Sequence, residues 1–218
     1  MTDTNCKRAG KLDTATLSDA LDRLGIVGQC ARIKPRDYGF RMAGRAFTVQ
    51  YGPAGKPSGT VGDFIDDVPE GSVIVLDNRG RTDATVWGDI LTEIAHRNGV
   101  AGTAINGINR DVSLCLELGY PVFSIDNWMR TGKDRVQVEG VNVPVDLGGS
   151  RVAPGDIVRG DADGVVVLPR EHEDAVLDVA EEIEAAEDAI RATVREGARL
   201  DEARARFRYH ALQTRKGE

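Results

Sequence analysis

Cysteine is scarce: Cys6, Cys30 and Cys115 are the only three among 218 residues. They are odd in number and lack metal-ligand spacing, which argues against a disulfide framework or a thiolate metal site and favours reduced thiols. Histidine is as rare. His96, His172 and His210 sit far apart and read as surface residues rather than ligands. Long apolar runs are missing, and the opening Met1 to Arg8 has no apolar core of a signal peptide. The expectation is therefore a cytoplasmic protein without a membrane span. A basic excess is lacking too. With 28 Lys and Arg against 35 Asp and Glu, the net charge is −7 and the bases are scattered among acids, which argues against a nucleic-acid surface. No Gly-x-Gly-x-x-Gly follows a strand, so neither a dinucleotide site nor a glycine-rich methyl-donor loop is supported. There is no internal repeat and no low-complexity tract.

What is present fits one α/β domain over residues 1–218, with a loose terminus over residues 1–10 and a helical extension over residues 172–218. Asp13 or Thr14 caps a helix from Ala15 to Leu24 that Gly25 closes. Residues 44–51 read as a strand, followed by a Gly/Pro loop to Gly59, and Phe64 to Val68 reads as a short helix. Ser72 to Asp77, Val100 to Ile105 and Tyr120 to Ile125 are apolar on both faces, as interior parallel strands are. Between them lie helices from about Thr85 to Arg97 and from Asp111 to Leu118, and Asn106-Gly107 is expected to end the middle strand. After Gly132 the texture becomes β-rich, with short strands at 135–139, 141–145, 156–158 and 164–168. From His172 to about Gly197 apolar residues recur at helical spacing beneath many glutamates, and a charged segment runs from Leu200 to Arg208.

The chemistry is concentrated in the middle third. Val86-Trp87-Gly88-Asp89-Ile90-Leu91 and Asn106-Gly107-Ile108-Asn109-Arg110-Asp111 put a carboxylate, an arginine and a second carboxylate at the ends of one helix-then-strand unit. A hard divalent cation takes carboxylate oxygens, and an arginine beside it pairs with a substrate carboxylate. Each member has a plainer reading alone. Asp89 near a helix start favours the helix dipole, and Arg110-Asp111 can be an ion pair or a cap. Trp87 reads as core or interface, and Lys56 and the Arg130-Thr-Gly-Lys133 segment as solvated charge, although either could meet a substrate carboxylate.

Asp89, twenty residues, then Arg110-Asp111 resembles the signature of the RraA-like family. That family includes aldolases of 4-hydroxy-4-methyl-2-oxoglutarate and 4-carboxy-4-hydroxy-2-oxoadipate, once mislabelled as demethylmenaquinone methyltransferases. Flanking segments agree: Thr16 to Ala20, Pro69 to Asp77, Gly102 to Gly107, Tyr120 to Phe123, Pro154-Gly-Asp156 and Asp163-Gly-Val165. The resemblance implies a swivelling-domain-type α/β fold, assembled as a trimer or a dimer of trimers with sites at subunit interfaces. It implies Mg2+ or Mn2+ held by Asp111, with Asp89 helping through water. Arg110 would contact the keto acid, and the backbone after Gly88-Asp89, at Ile90 and Leu91, would receive its carboxylate. The implied chemistry is retro-aldol cleavage of a 4-hydroxy-2-oxo acid, or decarboxylation of oxaloacetate, through a pyruvate enolate. Two positions depart from the aldolase pattern: Leu114 stands where an acid is usual, and Gly62 where a histidine is frequent. Glu187 aligns loosely with a late glutamate of the aldolases. The alternatives are a regulator that binds a ribonuclease, as some members do, and a related metal lyase or hydrolase of a specialised pathway.

Overall fold

The computed structural model describes residues 3–207 and Tyr209. His210 and the Arg208 end of the last charged segment lie outside them. The loose start expected for residues 1–10 is instead helical over α1 (Thr4–Lys11). The Asp3 carboxylate accepts from the Cys6 amide at 3.1 Å, and Arg8 reaches Asp178 and Glu181 across the surface. Ala9 is fully buried. With no apolar periodicity of its own, this helix is held by a cap and by partners about 170 residues away, which a local reading does not see. α2 (Thr14–Leu24) begins as expected: Asp13 accepts from the Thr16 amide at 2.7 Å, and Gly25 ends the helix in the left-handed conformation at φ 69°.

Two short edge strands follow, β1 (Gln29–Cys30) and β2 (Lys34–Pro35), and then the long β3 (Met42–Pro53). A 3-10 turn occupies Asp63–Asp67 ahead of β4 (Val73–Asp77). α3 (Asp89–Arg97) starts four residues later than the sequence suggests. Thr85 is held extended because its amide and hydroxyl both donate to the Arg130 carbonyl at 3.0 Å, so the helix cannot begin there. β5 (Gly102–Asn109) runs straight through Asn106-Gly107, which was expected to end it. The interruption appears as a register shift against the neighbouring strand between Ile105 and Ile108. α4 (Val112–Leu118), β6 (Val122–Asn127), β7 (Val136–Val141), β8 (Val145–Leu147), β9 (Ser150–Val152), β10 (Ile157–Asp161) and β11 (Gly164–Leu168) complete the middle of the chain. α5 (Glu173–Arg195) and α6 (Leu200–Arg206) close it, so the expected β-rich region and late amphipathic helix are both present.

The strands form a nine-stranded mixed sheet in the order β1-β11-β10-β3-β4-β5-β6-β2, with β7 also on β3, and β8-β9 form a separate pair. β3 joins two halves. Its first residues pair antiparallel with β10, and Ala46 to Gln50 pair parallel with β4. β4, β5 and β6 are parallel, as their two-sided apolar sequences predict. One core cluster lies about these parallel strands and includes Ile74, Leu76, Ile105 and Phe123. A second lies where α1, α2 and α5 cover β10 and β11, and includes Leu17, Leu21, Ile157 and Ile183. This parallel half carries the candidate site, because the chain leaving the carboxyl end of β5 meets the start of α3 there.

Candidate active site

Trp87 anchors the site. Its indole is buried, stacks on Tyr120 with ring centroids 6.1 Å apart, and donates from Nε1 to the Thr92 hydroxyl at 2.8 Å. That hydroxyl in turn donates to the Gly88 carbonyl at 2.9 Å. The Trp87 carbonyl accepts from the Arg110 amide at 3.0 Å, which ties the exit of β5 to the entry of α3. Trp87 is thus core, and it fixes the distance between the two segments that carry the chemistry.

On that frame the Arg110 and Asp111 side chains meet beside the Asp89 backbone amide, while the Asp89 carboxylate turns to the next amide along the helix. Asp111 precedes α4 in a left-handed conformation, φ 56° and ψ 43°. A residue with a Cβ adopts this at a cost on the order of 1 kcal/mol. Its carboxylate does not cap its own helix. Asp111 Oδ2 instead accepts from the Asp89 amide at 3.2 Å and lies 3.2 Å from Arg110 Nε. The Arg110 and Asp111 side chains are 39% and 36% exposed, so their mutual attraction contributes well under ~1 kcal/mol to stability. A structural ion pair therefore does not account for the strained backbone. Gly88 is where they crowd the main chain: a Cβ there would stand 2.8 Å from Asp111 Oδ2 and 3.1 Å from Arg110 Nε. Asp89 turns its own carboxylate onto the Ile90 amide at 2.8 Å. Of the two amides expected to receive a substrate carboxylate, Ile90 is thus already engaged, and Leu91 has no acceptor among the described residues.

These residues border an open cleft of about 430 Å³, a size suited to a small molecule. Gly88, Asp89, Ile90, Leu91 and Arg110 lie on its lining, with Asp111 just behind Gly88. The opposite wall comes from Val61 to Asp66 and a strap from Thr131 to Lys133. Sequence reasoning passed over Asp63 and Asp66. They lie in the short 3-10 turn more than twenty residues before Asp89, and only tertiary contact brings them in. Lys133 lines the cleft, whereas Lys56 does not. Gly62 borders the cleft and faces Leu91, and Leu114, whose amide donates to the Asp111 carbonyl at 3.3 Å, is partly buried on α4. Glu187 pairs with Arg191 on α5 at 3.1 Å, and His96 and His172 are on the surface.

The donor set decides which metal these residues can hold. No cluster of three or more carboxylate, imidazole or thiolate groups converges among the described residues. Burial pushes the Cys30 thiol up to about 12 and the Cys115 thiol up to about 11, so neither supplies a thiolate at neutral pH. Two carboxylates are hard oxygen donors, however, and Mg2+ keeps several waters and needs only one or two of them beside its substrate oxygens. Asp111 and Asp89 fit an ion of that kind. They do not fit a fully protein-caged metal.

The profile of the RraA-like family, described as Aldolase/RraA, matches residues 14–167. The chain belongs to the RraA-like family. Its relatives include Protein DlpA of Legionella pneumophila, 39% identical over 201 residues, covering 90% of this chain and 32% of that longer protein. A protein of Halalkalibacterium halodurans named "Putative 4-hydroxy-4-methyl-2-oxoglutarate aldolase" is 33% identical over 178 residues, 82% of each chain. Among solved structures, an "uncharacterized protein" from Pseudomonas syringae pv. tomato superposes with a TM-score of 0.86 at 41% identity, covering 92% of this chain and 96% of that one. Streptomyces coelicolor RraAS2, described as an unusual member of the RNase ES inhibitor RraA protein family, gives 0.82 at 27% identity, covering 88% and 100%. The RraA-like fold expected from the Asp89, Arg110, Asp111 signature is the one observed.

Proposed function

We propose that this RraA-like chain is a divalent-metal-dependent lyase of a small 2-oxo acid, performing retro-aldol cleavage of a 4-hydroxy-2-oxo acid, decarboxylation of oxaloacetate, or both. The carrying observation is Asp111: a strained residue whose carboxylate turns away from its own helix toward Arg110 and the Gly88-Asp89 step, at the edge of an open cleft. The aldolase name of a relative at 33% identity supports the same chemistry. Asp111 is the principal ligand and Asp89 the water-mediated one for Mg2+ or Mn2+. When bound, the ion polarises the 2-oxo group and favours its enolate.

The chain's own part is binding and orientation. Arg110 presents a guanidinium to the carboxylate and 2-oxo oxygen of the substrate and stabilises the negative charge that grows on that oxygen. The Leu91 amide, in the first turn of α3, offers a further donor at the positive end of the helix. Pyruvate release by the purified protein tests this reading. Activity should appear with Mn2+ or Mg2+ and vanish with chelator, and Asp111→Ala should lower kcat/KM by at least a hundredfold with little change in melting temperature. No turnover of oxaloacetate or of any 4-hydroxy-2-oxo acid would end the lyase reading.

Assembly as a trimer or a dimer of trimers belongs to the same proposal, and sedimentation velocity checks it. A second reading, regulation of a ribonuclease by protein contact, is favoured by the description of the Streptomyces coelicolor neighbour. Asp111→Ala separates the two, since binding through an outer surface would survive it and catalysis would not.

A further inference from the structure

Asn109 is 1% exposed at the end of β5, where a leucine would pack without needing a partner. A buried side-chain amide is costly unless its two ends are bonded, and here both are. Nδ2 donates to the Arg110 carbonyl at 3.3 Å, and Oδ1 accepts from the hydroxyl of Ser124 on β6 at 2.8 Å. Ser124 is fully buried, and its hydroxyl hydrogen is shared with the Asp126 carbonyl at 2.9 Å. A carbonyl only accepts, so the NH2 end of the amide has to face Arg110 and its oxygen has to face Ser124. The orientation of the side chain is thereby fixed. The Asn109 main chain is held as well, because its carbonyl accepts from the Trp128 amide at 2.9 Å.

The carbonyl that Asn109 grips belongs to the peptide joining Arg110 to Asp111. The φ of Asp111 is a rotation relative to that peptide, and on its far side Asp111 is held by α4, where its carbonyl accepts from the Leu114 amide at 3.3 Å. Turning the peptide over would let Asp111 leave φ 56° for the ordinary negative range and shed the left-handed penalty. The bond from the Arg110 amide to Trp87 does not prevent this, since that amide belongs to the preceding peptide. The Asn109 side chain does oppose it. We infer that Asn109, oriented by Ser124, is a positioning residue: it holds the Arg110–Asp111 peptide and so keeps Asp111 in the conformation that turns its carboxylate toward the Gly88-Asp89 step. The consequence for metal binding rests on the lyase reading, whereas the hold on the peptide does not.

Two measurements test this. The Asp111 side chain makes no bond to its own helix, so glycine and alanine can be compared there without the loss of a cap. With Asn109 present, Asp111→Gly should have an unfolding equilibrium constant about fivefold smaller than Asp111→Ala, because glycine adopts a positive φ freely. In the Asn109→Leu background that order should level or reverse, since alanine is the favoured residue once φ is negative. Mn2+ titration followed by electron paramagnetic resonance should then show Asn109→Leu alone binding roughly fivefold more weakly than the parent. Ser124→Ala, which removes one buried atom, should move both readouts the same way by less, and it carries the test if Asn109→Leu does not fold. A merely structural asparagine would lower stability and leave the glycine–alanine order intact, and that result would overturn the inference. A lost order with parent-like Mn2+ affinity, or in a parent that binds no Mn2+, would uphold the hold on Asp111 and overturn its reading as the metal ligand.

Discussion

Asp111 and Gly88 belong together as one device: a carboxylate held in the left-handed region and a backbone step that must stay bare for it to approach. Gly88 has extended backbone, φ −154°, so alanine there meets no conformational penalty and the whole effect is steric. Gly88→Ala should therefore leave the melting temperature within a few degrees of the parent while it pushes Asp111 and Arg110 apart and lowers kcat/KM by ten- to a hundredfold. Parent-like kinetics in that variant would show that the observed approach is not the working one. The three candidate residues were legible in the sequence as a pattern of residue type and spacing. Occupation of the Ile90 amide by Asp89 was not, since it depends on a side-chain rotamer that spacing does not report.

At the scale of elements, α1 shows how a segment with no visible pattern becomes ordered. Arg45 on β3 donates to Glu173 from both terminal nitrogens, that from Nη2 at 2.9 Å, and its Nε donates to Asp3 at 2.7 Å; Asn5 adds a bond to Glu173 at 2.8 Å. The hydrogen bonds from Arg45 hold both the Glu173 and the Asp3 carboxyl below their usual range. A carboxylate with a lowered folded-state pKa contributes stability that is fully present above its unfolded pKa, near 4, and is lost as pH falls through the folded value. Glu173→Gln should destabilise the protein at pH 7 by on the order of 2 kcal/mol, with the difference from the parent shrinking below about pH 4. Denaturant melts at pH 7 and pH 3 measure it, and an equal difference at both would refute the linkage. α3 offers the complementary lesson. Its apolar periodicity was readable, but its start was set by the Thr85–Arg130 hydrogen bonds, which join segments far apart in the sequence.

For the molecule as a whole, the parallel sheet is the rigid body on which the site is hung. Leu76 in β4 is fully buried between strands that are themselves buried. Leu76→Ala should cost about 2–5 kcal/mol and lower the unfolding midpoint without shifting the metal dependence of whatever activity remains. If that variant instead lost activity at full stability, the sheet would be acting as more than a scaffold. Among the described residues no helix is long and apolar enough to cross a membrane.

Composition and pattern, without coordinates, determined the α/β class, the parallel strands and the main helices, and singled out the three polar residues proposed for the site. Each of these is written in a local periodicity or in a residue type that water and the backbone constrain directly. Tertiary structure alone decided that residues 4–11 are helical, that β5 passes through Gly107, and that Val61 to Asp66 and Lys133 share a cleft with Arg110. Those outcomes depend on contacts between segments tens to more than a hundred residues apart, whose free energy exists only once the chain has closed on itself.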